Sequence, residues 1–199
     1  MIRAIERLGV VALLSLLLGG CALTSKSQPI DVRWFSPERV RPRLTSATTA
    51  GTATPLELGR ITASAHLREK MVFRDDAWEI GYADDLRWTE RPDAYVRREL
   101  GRTLFEEGGF RRSVAGDGAP TLEIELVAFE ELRAGDARLA RVQLRMMLHD
   151  GRDVLHEETI TVDERLRGSG VEAFVSATAE ALDRTTSQVA SRAKAVLAR

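Results

Sequence analysis

Three stretches in the second half of the chain alternate apolar and polar residues with a period of two. In 121–129, Leu122, Ile124 and Leu126 alternate with Glu123 and Glu125. In 139–148, Val142, Leu144, Met146 and Leu148 alternate with Arg141, Gln143 and Arg145. A third strand is predicted over 154–166. Alternation of this kind buries one face of a sheet and wets the other, as in an antiparallel sheet. Asp150-Gly151 marks a hairpin turn between the second and third strands, and Gly135-Asp136 marks another between the first and second. Glu123 and Glu125 are expected to pair with Arg141 and Arg145 across the wet face.

Two segments change to helical spacing. Pro92 suits the first position of a helix, where its missing N–H is not needed. Val96, Leu100, Thr103 and Leu104 then fall on one face, and Gly108-Gly109 can end the helix. Near the C-terminus, Val171, Phe174, Val175, Thr178, Leu182, Val189, Ala193 and Val196 form one stripe. Ser169 and Glu172 have the spacing of a capping box at its start.

The first half holds shorter elements. Strands are predicted over 32–35, 56–62, 71–74 and 78–82, the last two joined by a turn at Asp75-Asp76-Ala77, with a further extended segment ending at Leu86-Arg87-Trp88. Residues 42–55, rich in Thr, Ala and Ser, read as a loop, and 110–114 as another extended segment. The expectation is an α+β fold: an antiparallel β-sheet with two main helices packed on one face.

The N-terminus has a different pattern. Arg3 and Arg7 precede an uncharged apolar run, 8–18, which Gly19, Gly20 and Cys21 follow. A positive start, a short apolar run and small residues make a secretory signal peptide. The run is too short for a bilayer, which needs about 20 apolar residues. Leu18-Gly19-Gly20-Cys21 resembles a bacterial lipobox, so Cys21 is the candidate lipidation site, bearing diacylglycerol and an acyl chain such as palmitate. No second cysteine exists to pair with it. The domain plan is therefore a signal peptide over 1–20, a lipidated tether over 21–30 and a single periplasmic domain over 31–199. Ala22 stands where an aspartate would signal retention in the inner membrane, which favours the outer membrane.

Composition then removes some functions. The chain has 199 residues and a net charge of −1, and loss of Arg3, Arg7 and Glu6 with the signal peptide makes that −2. This balance gives no basic stripe for nucleic acid. His66, His149 and His156 are widely separated and lack metal-ligand spacing. Asp75-Asp76 and Asp84-Asp85 sit in turn-like sequence. Gly168-Ser169-Gly170-Val171-Glu172-Ala173 matches a dinucleotide fingerprint, but no second strand follows the helix it opens. No catalytic residue, metal ligand or cofactor site is nominated, and no enzymatic activity is expected. Phe73, Trp78, Tyr82 and Trp88 form an aromatic group that fits either core filling or an apolar surface for a lipid or protein partner.

Residues 66–110 carry a resemblance. A leucine-led strand (Leu67 to Arg74), a tyrosine-bearing strand (Tyr82) and Trp88-Thr89-Glu90-Arg91-Pro92 opening a helix resemble the ABC-type transport auxiliary lipoproteins, the paraquat-inducible protein C-like family. The chain departs from that pattern around 32–35. The resemblance implies a lipid-anchored protein facing the periplasm, working with an ABC permease and ATPase and an MCE-domain protein that move lipids or other hydrophobic compounds. It implies that Trp88 and Pro92 fix the lead-in to the helix. Two other readings stay open: an envelope-assembly or regulatory lipoprotein, and a module that itself holds a lipid. Self-association as a homo-oligomer is also open.

Overall fold

One 14-residue strand organises the domain. In the computed structural model, which describes residues 30–38, 53–75, 78–114, 116–134 and 137–199, it is β6 (Thr121–Ala134). Two compact units divide the chain, 1–31 and 32–199, and the description below concerns the second. Along one edge β6 pairs antiparallel with β7 (Ala137–His149), which pairs antiparallel with β8 (Val154–Arg165). Leu122 faces Leu148, Ile124 faces Met146 and Leu126 faces Leu144, all buried, as the alternation predicts. A bulge between Leu126 and Ala128 then switches the parity, so Phe129 rather than Ala128 lies opposite Val142. The same switch brings Glu131 opposite the buried Ala140.

The other edge of β6 serves two strands in series. β2 (Thr54–Ala63) runs parallel to the first half of β6, and β3 (Lys70–Arg74) runs parallel to its second half. Both point the same way, so they read as one long strand interrupted by residues 64–69. The interruption is pinned at its base: the Ser64 amide donates to the Leu126 carbonyl and the Leu67 amide to that of Ser64, both at 2.9 Å. Leu67 is buried beneath it. β4 (Ile80–Trp88) pairs antiparallel with β3, β1 (Arg33–Phe35) pairs parallel with β4, and β5 (Phe110–Arg112) pairs parallel with β2.

The α+β class is as expected, but the sheet is mixed rather than wholly antiparallel. Period-two alternation reports which face is buried and is blind to strand direction. The separate segments expected at 78–82 and 86–88 are one strand, β4, and Trp78 lies outside it. Thr54 and Pro55, expected in a loop, begin β2, while the rest of that loop at 42–52 lies outside the described residues. So does the Gly135-Asp136 turn, although its flanking strands pair up to Ala134 and Ala137. The second turn forms as predicted, with the Asp150 carboxylate accepting from the Arg152 and Asp153 amides, each at 2.9 Å, and Gly151 at φ 91°.

Two helices cover one face. α2 (Val171–Leu197) packs on β7 and β8 through Phe174, Thr178, Leu182, Val189 and Ala193, the stripe read from sequence. Its buried threonine hydroxyls donate back to carbonyls four residues earlier, Thr178 to Phe174 at 2.8 Å and Thr185 to Ala181 at 2.6 Å. The capping box does not form. Gly170, at φ 100°, is the N-cap, which leaves Glu172 one position short; its carboxylate instead accepts from Arg33 at 2.7 Å. Its own backbone N–H, and then Arg33, hold its pKa below the usual glutamate value.

α1 (Pro92–Arg102) buries Tyr95, Val96 and Leu100, with Pro92 at its start as predicted. A π-helical turn, Thr103–Glu107, follows before Gly108 ends the helix. A Cβ on Gly108 would lie 2.5 Å from the Thr103 carbonyl oxygen and 2.9 Å from that of Leu104. Both are backbone atoms that cannot turn aside. Gly108→Ala is expected to cost about 1–3 kcal/mol through overpacking, read as a lowered denaturation midpoint.

Candidate functional site

Cys21, the signal peptide over 1–20 and all but residue 30 of the tether over 21–30 lie outside the described residues. The corner at 88–92, which carries the sequence signature, is fully described. Trp88 is completely buried, in edge or tilted contact with Tyr95 at 6.4 Å, Phe129 at 5.3 Å and Phe174 at 5.7 Å between ring centroids. It therefore touches α1, β6 and α2 at once. Its amide donates to the Glu69 carbonyl at 2.7 Å, and the Thr89 amide donates to the Phe35 carbonyl at 2.9 Å.

The Tyr95 hydroxyl holds the corner from the helix side. It shares a 2.7 Å hydrogen bond with the Thr89 hydroxyl and accepts from the Glu90 amide at 3.0 Å. The Glu90 carboxylate accepts from Arg98 at 2.7 Å, and Arg98 also pairs with Glu38. The signature residues thus join strand end to helix start, while the buried Trp88 Nε1 has no hydrogen-bond partner among the described residues. This corner supports a shape, and its exposed carboxylate, Glu90, is held by Arg98.

The aromatic group splits. Trp88 is core, and Phe73 is half-buried against Arg133, whose guanidinium lies 3.8 Å from the ring centroid. Tyr82 is 42% exposed and Trp78 92% exposed, so the four rings form no common site. The histidines are also apart. His149 accepts from the Gly151 amide at 3.1 Å in the hairpin, and His156 contacts Glu158 at 3.1 Å. That contact, with Arg192 next, keeps the Glu158 pKa below the ordinary value. His66 sits in the 64–69 interruption with a buried Nε2 that has no hydrogen-bond partner among the described residues. Asp75 meets Arg133 at 3.4 Å; Asp76 lies outside the described residues, and Asp84 is exposed. Residues 168–173 lead into α2 as its N-terminal turn.

The face of the sheet away from the helices is a ladder of paired charges. Arg141 makes two 2.7 Å bonds to Asp163, Gln143 donates to Thr161 at 2.8 Å and Arg145 donates to Glu157 at 2.7 Å. Glu125 reaches Arg145 at 3.7 Å, as predicted, but Glu123 lies opposite Met147, and Arg141 opposite Glu130. The charges answer one another and leave no basic stripe on these strands.

Sequence reading missed the buried acids. Glu130, 2% exposed, takes a bidentate pair from Arg74 at 2.9 and 3.1 Å across the β3–β6 boundary. Glu131, also buried, pairs with Arg133 at 3.2 Å and with Arg138. Two adjacent glutamates after an alternating strand were the available signal, since no alternation explains both. Arg74→Met is expected to cost about 3 kcal/mol, because it removes the bidentate hydrogen-bond partner of the buried Glu130 carboxylate, and Arg74→Met with Glu130→Leu should recover most of that. Chemical denaturation of the three variants checks it.

A forked mixed sheet under two helices, with its signature corner used for packing, defines an α+β domain of the sheet-and-two-helix kind. The chain belongs to the family described as the ABC-type transport auxiliary lipoprotein component, whose model matches residues 40–190. No curated protein matches the sequence. Among solved structures it is similar to a Xanthomonas campestris protein of the DUF330 family, at 18% identity and TM-score 0.69, over 82% of this chain and 96% of that one. A second, described as an uncharacterized protein, matches at 14% identity and TM-score 0.61, over 70% of this chain and 92% of that one. A hypothetical protein from Chlamydia trachomatis matches at 12% identity and TM-score 0.53, over 74% of this chain and all of the other. At such identities these likenesses speak for the fold alone. No helix among the described residues is long and apolar enough to cross a membrane.

Proposed function

We propose that this protein is a non-catalytic docking component, without cofactor, of an ABC transport system whose MCE-domain partner moves lipids or other hydrophobic compounds through the envelope. Cys21, acylated, holds it on the outer membrane facing the periplasm. The observation that carries the reading is the family match across 40–190, downstream of a lipobox-like Leu18-Gly19-Gly20-Cys21. Two or more acyl chains anchor a protein stably, at about 0.8 kcal/mol for each buried methylene.

The cavity beside the start of α2, lined by Met71, Val72, Phe73, Val171 and Phe174 together with Glu131, Arg133 and Arg138, holds about 90 Å³, below the roughly 300–1,000 Å³ of sites for drug-sized ligands. Crosslinking the chain in intact cells and identifying the captured protein tests the reading. An MCE-domain protein is expected. Capture of a peptidoglycan synthase or of a lipopolysaccharide-export component instead would replace it with an envelope-assembly role.

A further inference from the structure

The 64–69 interruption between β2 and β3 has a use beyond joining two strands. It brings Arg68 and Lys70 to an open cleft of about 530 Å³, with Trp34 of β1 and Tyr82 and Arg87 of β4 lining the other sides. Trp34 is 57% exposed and Tyr82 42% exposed, and Val32, also exposed, precedes Trp34 by two residues. On the wet face of β7 and β8, Arg141 and Arg145 are answered by Asp163 and Glu157. The cations of the cleft are not. Arg68 and Lys70 make no ion pair among the described residues. Arg87 donates only to backbone carbonyls, those of Ala83 and Leu86 at 2.9 Å and of Asp84 at 3.0 Å. Glu69 is the single carboxylate lining the cleft, against three cations.

We propose that this cleft is the face by which the folded domain rests on an anionic phospholipid surface. The inference builds on the reading that the chain is tethered through Cys21. Tryptophan and tyrosine, apolar rings with a polar edge, favour the boundary between headgroups and acyl chains. Basic residues close to an anionic leaflet each strengthen binding about fivefold. Chain length fits as well. Ten residues, 22–31, lie between Cys21 and Val32, and the eleven extended steps from one to the other reach at most about 40 Å. A second copy of the chain is a poorer occupant, because a two-fold contact would set the same cations against each other.

The test uses the mature chain, residues 21–199, coupled through Cys21 to a maleimide-bearing lipid. Cys21 is the only cysteine, and removing 1–20 leaves the compact unit 32–199 whole. Trp78→Phe makes Trp34 the responsive fluorophore, since Trp88 is already buried. On phosphatidylcholine vesicles containing phosphatidylglycerol, Trp34 emission should shift to the blue and be quenched by brominated lipid. Arg68→Gln with Lys70→Gln should weaken that contact about 25-fold, at fivefold for each cation, without changing the thermal transition. The proposal is overturned if Trp34 stays as open to acrylamide on the vesicles as in solution. It is equally overturned if vesicles lacking phosphatidylglycerol give the same response, or if Trp34 becomes buried with rising protein concentration alone, which would mark a self-association face. The tether is supplied chemically, so these results are separate from any failure of native acylation, which the mass of the cellular protein reports.

Discussion

Trp88→Ala should lower the stability of the domain by about 3–5 kcal/mol, the range for truncating a buried tryptophan or phenylalanine. Small domains have only about 5–15 kcal/mol in all, so the variant should be largely unfolded at modest denaturant concentrations. The reason is the position of the ring. It is completely buried and contacts Tyr95, Phe129 and Phe174, which belong to α1, β6 and α2, so its removal leaves a cavity where three elements meet. Trp78, ten residues earlier and 92% exposed, is the internal control: Trp78→Ala should stay within about 0.5 kcal/mol of the parent. Urea unfolding followed by circular dichroism separates the two. Equal midpoints for both variants would mean that the corner is not the junction described above.

Cys21→Ser should produce the second large effect, on location rather than on stability. Under the proposed acylation at Cys21, a chain without the thioether carries no acyl group. Even a single myristoyl chain gives only marginal, reversible binding of about 10⁴ M⁻¹. The bulk of the protein should move from the membrane pellet to the soluble fraction. Contact through Trp34, Arg68 and Lys70 would leave a small residue that high salt releases, since charges at a membrane surface are screened within about 10 Å at 0.1 M salt. The thermal transition should not move, because the core among the described residues runs from Leu56 to Ala193.

Much of this molecule is legible in its residues. The β6–β7–β8 meander follows from alternation and from Asp150-Gly151, and α2 follows from its stripe. Local rules sufficed because each partner lies next along the chain. They failed where pairing joins distant segments. Nothing in 56–62 or 71–74 states that both run along one edge of β6, parallel to it and in series. Strand direction is decided by where the whole chain can lead each segment, and a period of two is the same either way. The capping box failed for a local reason: Gly170 takes a positive φ and moves the helix start past Ser169. The functional surface was half legible. Tyr82 belongs to the aromatic group that the sequence crowds together, while Trp34 is one residue of the short strand predicted over 32–35. Arg68 and Lys70 carried no signal until the interruption at 64–69 brought them beside both rings.

The identity of the first residue of the mature protein decides whether this is a lipid-held body. The N-terminal peptide, purified from membranes and weighed by mass spectrometry, should begin at Cys21 and carry the added mass of diacylglycerol and a further acyl chain. A peptide that starts elsewhere, or that starts at Cys21 with a free thiol, would contradict it.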